Sequence, residues 1–208
     1  MSDTETKRSS NIPLYILIFI VLAWVGWKFL FPRGERIKKI LYEYDSVPAF
    51  TLKDLSGKEI SSDDLKGKIW LASFVSSRSE GIKKTMTQTY SIMRSVKMHK
   101  NVVMVSFSTD PDHDKPEVIM SLMKEFNVPP GHWHILSGEK EQVLKLMKNG
   151  FKLGYSVEKS GKGIRHSLKF ILVDWKGFIR GYYDSQDNES RKKLLVAMGY
   201  LIDELENE

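Results

Sequence analysis

KIWLASFV, residues 68–75, decides the fold: after Lys68, six of seven residues are apolar. A run that short and that continuous reads as a strand covered on both faces, not as one half-open to water. In the stretch that follows, Glu80 to Val96, Ile82, Met86, Tyr90, Met93 and Val96 fall at steps of three and four. That is the stripe of an amphipathic helix. VVMVSF, residues 102–107, is a second buried strand. Strand, helix and strand in this order make a parallel crossover unit and set the class as α/β.

Working outward, Ala49–Leu52 reads as a short strand, Ser56–Lys58 as a turn and Glu59–Ser61 as the return strand. Ser62–Gly67 reads as one capped helical turn closed by glycine. Downstream, the pattern predicts a helix over 115–126, a strand over 132–136 and a helix over 139–148. LKFILV (168–173) is a third buried strand, a turn at 174–177 returns the chain into 178–183, and a last helix spans 188–205. The terminal hairpin makes the expected sheet mixed.

Upstream, Ile12 to Phe31 is 20 residues with a single charge, Lys28. At 1.5 Å per residue this spans about 30 Å, the hydrocarbon thickness of a bilayer. Tyr15, Trp24 and Trp27 sit near its ends as an aromatic belt would. The run closes on bulky Trp27, Phe29, Leu30 and Phe31, where a cleaved signal peptide would carry small residues. The expected organisation is a tail over 1–11, a transmembrane anchor over 12–31, a linker over 32–46 and one domain over 47–208. Lys28, Arg33, Arg36, Lys38 and Lys39 follow the apolar run, while Lys7 and Arg8 precede it. By flanking charge alone the domain would lie in the cytoplasm.

The net charge of +6 comes from 32 basic and 26 acidic residues spread along the chain. With neither a basic stripe nor a reading helix, nucleic-acid binding is not expected. The chain has no cysteine. Disulfides, cysteine-ligated metals and thiol nucleophiles are therefore excluded.

Several phrases, in order, resemble the Sco/SenC family of membrane-anchored, thioredoxin-like proteins. VPAFTL (47–52) with Gly57-Lys58 and LKGK (65–68) is similar to the family's opening hairpin. SFSTDP (106–111), WHILSG (133–138) and RHSLKFILVD (165–174) are similar to its later segments. The resemblance implies a thioredoxin-like fold, a mixed central sheet flanked by helices, preceded by one transmembrane helix. It also implies a domain outside the cytoplasm, in a periplasm or a mitochondrial intermembrane space, against the flanking charges. Members of the family bind copper through a C-x-x-x-C motif and a distal histidine, and are implicated in cytochrome c oxidase assembly. In this sequence the motif positions hold Ser79 and Lys83, and His166 matches the distal histidine as a relict metal-ligand position. Copper(I) prefers soft thiolate or thioether ligands. A protonated hydroxyl and an ammonium replace them here, so no cofactor is expected. The resulting expectation is a protein that is not an enzyme, held at a membrane, binding a protein partner such as an oxidase subunit or assembly factor.

Two other functions set different demands. A substitute copper site would use His166 with Met86, although Met86 and Met93, one heptad apart, read first as core. A Ser79–Lys83 hydrolase would need a desolvated lysine and an oxyanion hole. His132 and His134 share a strand face but lack a third ligand. Ser77 and Glu80 form S-x-x-E, read as a capping box at the helix start. The cluster Asp110, Asp112, His113 and Asp114 reads as helix N-capping by Asp114 or Asp112.

Overall fold

A computed structural model describes residues 17, 19–26, 41–157 and 164–208. Residues 17 and 19–26 are helical. The rest of the anchor expected over 12–31, the tail 1–11 and residues 32–40 of the expected linker lie outside the described residues. Among the described residues no helix is long and apolar enough to cross a membrane. The chain divides into residues 1–40 and a compact unit, Leu41–Glu208.

The compact unit contains β1 (Thr51–Asp54), β2 (Glu59–Ser61), β3 (Ile69–Val75), α1 (Ile82–Val96), β4 (Val102–Ser108), α2 (Pro116–Met123) and β5 (Trp133–Ser137). It continues with α3 (Lys140–Lys145), which runs into a π-helical turn at Leu146–Gly150, then β6 (Tyr155–Val157), β7 (Ile164–His166), β8 (Lys169–Val173), β9 (Ile179–Asp184) and α4 (Asn188–Glu206). Seven strands form one sheet in the order β2-β1-β5-β4-β3-β8-β9. β3, β4 and β5 run parallel, with Ile69 opposite Val102 and Met104 opposite Trp133. β8 is antiparallel to β3, β9 to β8, β1 to β5 and β2 to β1. This is the mixed α/β sheet expected from the sequence.

Both faces of β3 are buried because alternate side chains enter different cores. Ile69, Leu71 and Val75 pack with Ile82, Met86, Ile92 and Met93 of α1 and with Leu194, Met198 and Leu201 of α4. Trp70, Ala72 and Phe74 point the other way, to Phe107, Phe151 and Met147. Phe74 stacks on Phe107 at 5.1 Å between ring centroids, and Phe151 meets both rings. The one polar residue in the run is satisfied across the sheet: Ser73 Oγ lies 2.9 Å from Ser106 Oγ, which also accepts the Trp133 indole N–H at 3.0 Å.

Two features depart from the sequence pattern. The hairpin of β6 and β7 was not expected, and it forms a separate two-stranded sheet. Its three β6 residues are all exposed, so no burial pattern announces it. Residues 41–46, assigned to a linker, instead pack on the edge strand. Tyr44 N–H donates to the Ile179 carbonyl at 2.8 Å and Val47 N–H to that of Gly177 at 2.9 Å. Ser46 bridges Phe178.

Phe107 is completely buried within the aromatic cluster. Phe107→Ala is expected to lower unfolding free energy by about 3–5 kcal/mol, measured by denaturant unfolding; a loss under about 1 kcal/mol would mean that the cluster repacks.

Candidate functional site

The C-terminal ends of the parallel strands β3 and β4 carry the loops in which the candidate residues lie. Beyond β3, residues 76–81 turn into α1; beyond β4, residues 109–115 lead into α2. Ion pairs and hydrogen bonds join the two loops. Arg78 donates through Nε at 2.8 Å and Nη2 at 2.5 Å to Oδ2 of Asp110. His113 Nδ1 lies 3.1 Å from Asp110 Oδ1. Asp110 is buried, as is Asp114. Asp114 accepts from the Ser77 N–H at 2.8 Å and from Ser108 Oγ at 2.6 Å. Thr109 N–H closes the join on the Val75 carbonyl at 2.9 Å.

These ties overturn two local expectations. Ser77 and Glu80 do not form a capping box, because α1 starts at Ile82, with Gly81 as N-cap and no side-chain capping bond. Gly81 has φ +85°, and a Cβ there would come within 3.1 Å of Leu168 Cδ1. A left-handed, closely packed residue therefore turns the chain, and the Ser77 amide is spent on Asp114. Asp114 and Asp112 do not cap α2 either: its N-cap is Lys115, again without a side-chain bond. Asp114 holds the neighbouring loop, and Asp112 is exposed.

Ser79 is half-buried in this loop, whereas Lys83 is exposed on the first turn of α1. Among the described residues no hydrogen bond joins them, and an exposed lysine lacks the desolvation that a Ser–Lys dyad requires. His166, at the end of β7, is half-buried, and Nδ1 donates to the Ser167 carbonyl at 3.1 Å. That bond leaves the lone pair on Nε2, a buried atom without a hydrogen-bond partner among the described residues. Burial lowers the His166 pKa, opposed in part by the Ser167 carbonyl. The Gly81–Leu168 approach sets the loop of Ser79 beside the segment that follows His166.

Met86 and Met93 are core residues of α1. His132 Nδ1 lies 3.2 Å from the Pro130 carbonyl. The His134 pKa is lowered by burial and by Lys68 and Lys58, with Asp54 opposing. Among the described residues no group of three or more histidine, aspartate or glutamate side chains is placed to hold a metal ion.

The sequence pattern of the SCO1/SenC family matches residues 39–197, most of the chain. The chain belongs to the SCO1/SenC family. It is 28% identical over 175 residues to the SCO1 protein homolog of Bacillus subtilis, covering 83% of this chain and 86% of that protein. Among solved structures, a SCO1/SenC family lipoprotein from Bacillus anthracis is 27% identical, with a TM-score of 0.68 over 75% of this chain and 94% of the other. BsSco, described as a member of the Sco family of cytochrome c oxidase assembly proteins and studied for a disulfide switch, has a TM-score of 0.69 at 23% identity, over 79% and 98% of the two chains. These likenesses establish the thioredoxin-like fold.

The donor set does not fit the copper that the Sco resemblance implies. His166 Nε2 offers one imidazole lone pair, but Ser79 and Lys83 offer no sulfur, and an ammonium repels a cation. The Arg78–Asp110 pair adds a fixed guanidinium to the same loop.

Asp110 and His113 stand together in the sequence, but their partner Arg78 was missed because it lies on another loop, 32 residues from Asp110 in the chain. Burial alone would raise the Asp110 pKa; the hydrogen bonds from His113 and Arg78, then their charges, outweigh it and hold the carboxyl below its ordinary value. A depressed folded pKa contributes stability that is full above the unfolded value and lost as pH falls through the folded one. Asp110→Asn is therefore expected to cost about 1–3 kcal/mol at neutral pH and to flatten the acid limb of stability below about pH 4. Denaturant unfolding at a series of pH values measures both; parallel curves for the two proteins would show that Asp110 is not the titrating group.

Proposed function

We propose that this chain is a membrane-tethered, non-catalytic Sco protein that acts by binding a protein partner, in the assembly of a respiratory oxidase such as cytochrome c oxidase. The observation that carries this reading is the site itself. Both positions where the family resemblance places copper-binding cysteines hold residues poorly suited to copper(I), Ser79 in the loop and Lys83 on the first turn of α1, while other bonds tie the loop at Ser77 and Arg78. Thiol exchange needs a thiolate, and the chain has no cysteine. What the domain retains is a surface at the ends of β3 and β4 whose two loops are tied together by Arg78–Asp110 and Ser77–Asp114, and a preorganised surface binds at low entropic cost. Oxidase assembly enters through BsSco, whose family is described by that role.

The tether is residues 12–31, long and apolar enough in sequence to span a bilayer, and the similar Bacillus anthracis protein is described as a lipoprotein. A domain of this length crosses membranes with little regard to flanking charge. The Sco/SenC resemblance therefore outweighs the flanking charges, and we place the domain outside the cytoplasm.

The direct test is titration of the purified full-length chain with copper(I) against a competing chelator. No stoichiometric capture is expected, and His166→Ala should leave the titration unchanged. The double substitution Ser79→Cys and Lys83→Cys should create copper(I) binding that His166→Ala then weakens, because Nε2 is already poised with its lone pair. Tight copper capture by the unaltered chain would overturn the proposal.

A further inference from the structure

The first residues of the compact unit are clamped to the outer edge of the sheet. Arg180 on β9 forms a buried ion pair with Asp174 at 3.0 Å. The same guanidinium donates to the Tyr42 carbonyl at 3.2 Å and the Leu41 carbonyl at 3.4 Å. With the backbone bonds of Tyr44 and Val47 to the edge strand, this fixes where the domain is joined to the preceding chain.

On that edge stand three tyrosine rings. Tyr42 and Tyr44 are 6.3 Å apart, and Tyr44 meets Tyr182 edge-on at 5.4 Å. Tyr42 is 71% exposed and Tyr44 46% exposed. Clustered exposed tyrosine is the composition of a membrane interface belt, where an apolar ring sits among headgroups and its hydroxyl stays wet. The strap carries two exposed carboxylates, Glu43 and Asp45, and Asp45 is offset by Lys152 at 3.2 Å.

Between Phe31, the end of the apolar run, and Leu41 lie nine residues, of which Arg33, Arg36, Lys38 and Lys39 are basic and Glu35 is acidic. Fully extended they reach about 30 Å, less than the width of a domain with a radius of gyration of about 15 Å. A connection of that length bounds how far Leu41 can stand from the apolar run, and its basic residues favour an anionic headgroup layer. Resting on the membrane tether proposed above, we infer that the β9 edge docks on the lipid surface through Tyr42 and Tyr44, so that the domain is held on the bilayer in one orientation.

Because the chain has no cysteine, single introduced cysteines report without background. The full-length chain is placed in nanodiscs of phosphatidylcholine and phosphatidylglycerol containing a nickel-chelating lipid, and carries a spin label at Glu43→Cys or, at the opposite edge of the sheet, at Glu59→Cys. Six strand spacings, about 29 Å, separate the two edges. Collision of the label with headgroup nickel should be severalfold greater at position 43, which docking would hold nearer the headgroups by about 29 Å. Adding Tyr42→Ser and Tyr44→Ser should bring position 43 down toward position 59 while circular dichroism stays unchanged. Equal collision at the two positions in an inserted chain overturns the inference alone. So does a high value at position 43 that survives loss of both tyrosines, since the short tether would then suffice. A chain that fails to co-purify with the nanodiscs overturns the tether and the inference together.

Discussion

The Asp110 carboxylate is the constraint on which the candidate site depends. It is buried at the end of β4, where an unpaired charge would cost several kcal/mol, and it is matched by the Arg78 guanidinium and by His113. Those partners come from two loops, so neutralising one charge also fixes the loop beyond β3 against the loop beyond β4. Asp114 repeats the arrangement with neutral donors, Ser77 and Ser108. In a Sco protein with its cysteines this loop would present sulfur to copper. Here ionic and hydrogen bonds tie the loop down, and the chain has no cysteine for a disulfide to do so.

The consequence for function is a separation of shape from chemistry. The thioredoxin-like scaffold is intact: parallel strands at the centre, helices on both faces, and the loops that carry family sites at the strand ends. The cysteine sulfur is absent, and thiol redox exchange with it; loss of cuprous-ion binding is what we propose. His166 keeps a lone pair on a buried Nε2 that has no partner among the described residues, at the position we propose as a remnant of the family's donor set. A domain of this kind can still recognise what its relatives recognise, provided recognition relies on the surface and not on the metal.

The core strands were legible because burial on both faces forces near-continuous apolar runs, and residues 69–75 and 102–108 have no other stable placement. The stripe of α1 was legible for the same reason on one face. Local signals competing with tertiary ties were misleading. S-x-x-E at Ser77–Glu80 is a sound capping pattern, yet Asp114, 37 residues away from Ser77, takes the amide, and Gly81 starts the helix in left-handed geometry. The strap at 41–46 carries no period, since its backbone, not its side chains, is what β9 uses. The positions of Ser79, Lys83 and His166 came from family phrases, not from chemistry, because a lost site leaves no donor pattern to detect. The Arg78–Asp110 pair, 32 residues apart, has no sequence signature at all.

The central claim is that this protein engages a partner through a surface that works without copper or thiols. The most direct measurement places a photo-crosslinking residue at the exposed Lys83 position of the full-length chain in its native membranes and compares capture with and without a copper(I) chelator and a thiol reductant. A single oxidase subunit or assembly factor captured to the same extent in both conditions is the predicted result. Capture that vanishes when copper is chelated would contradict it.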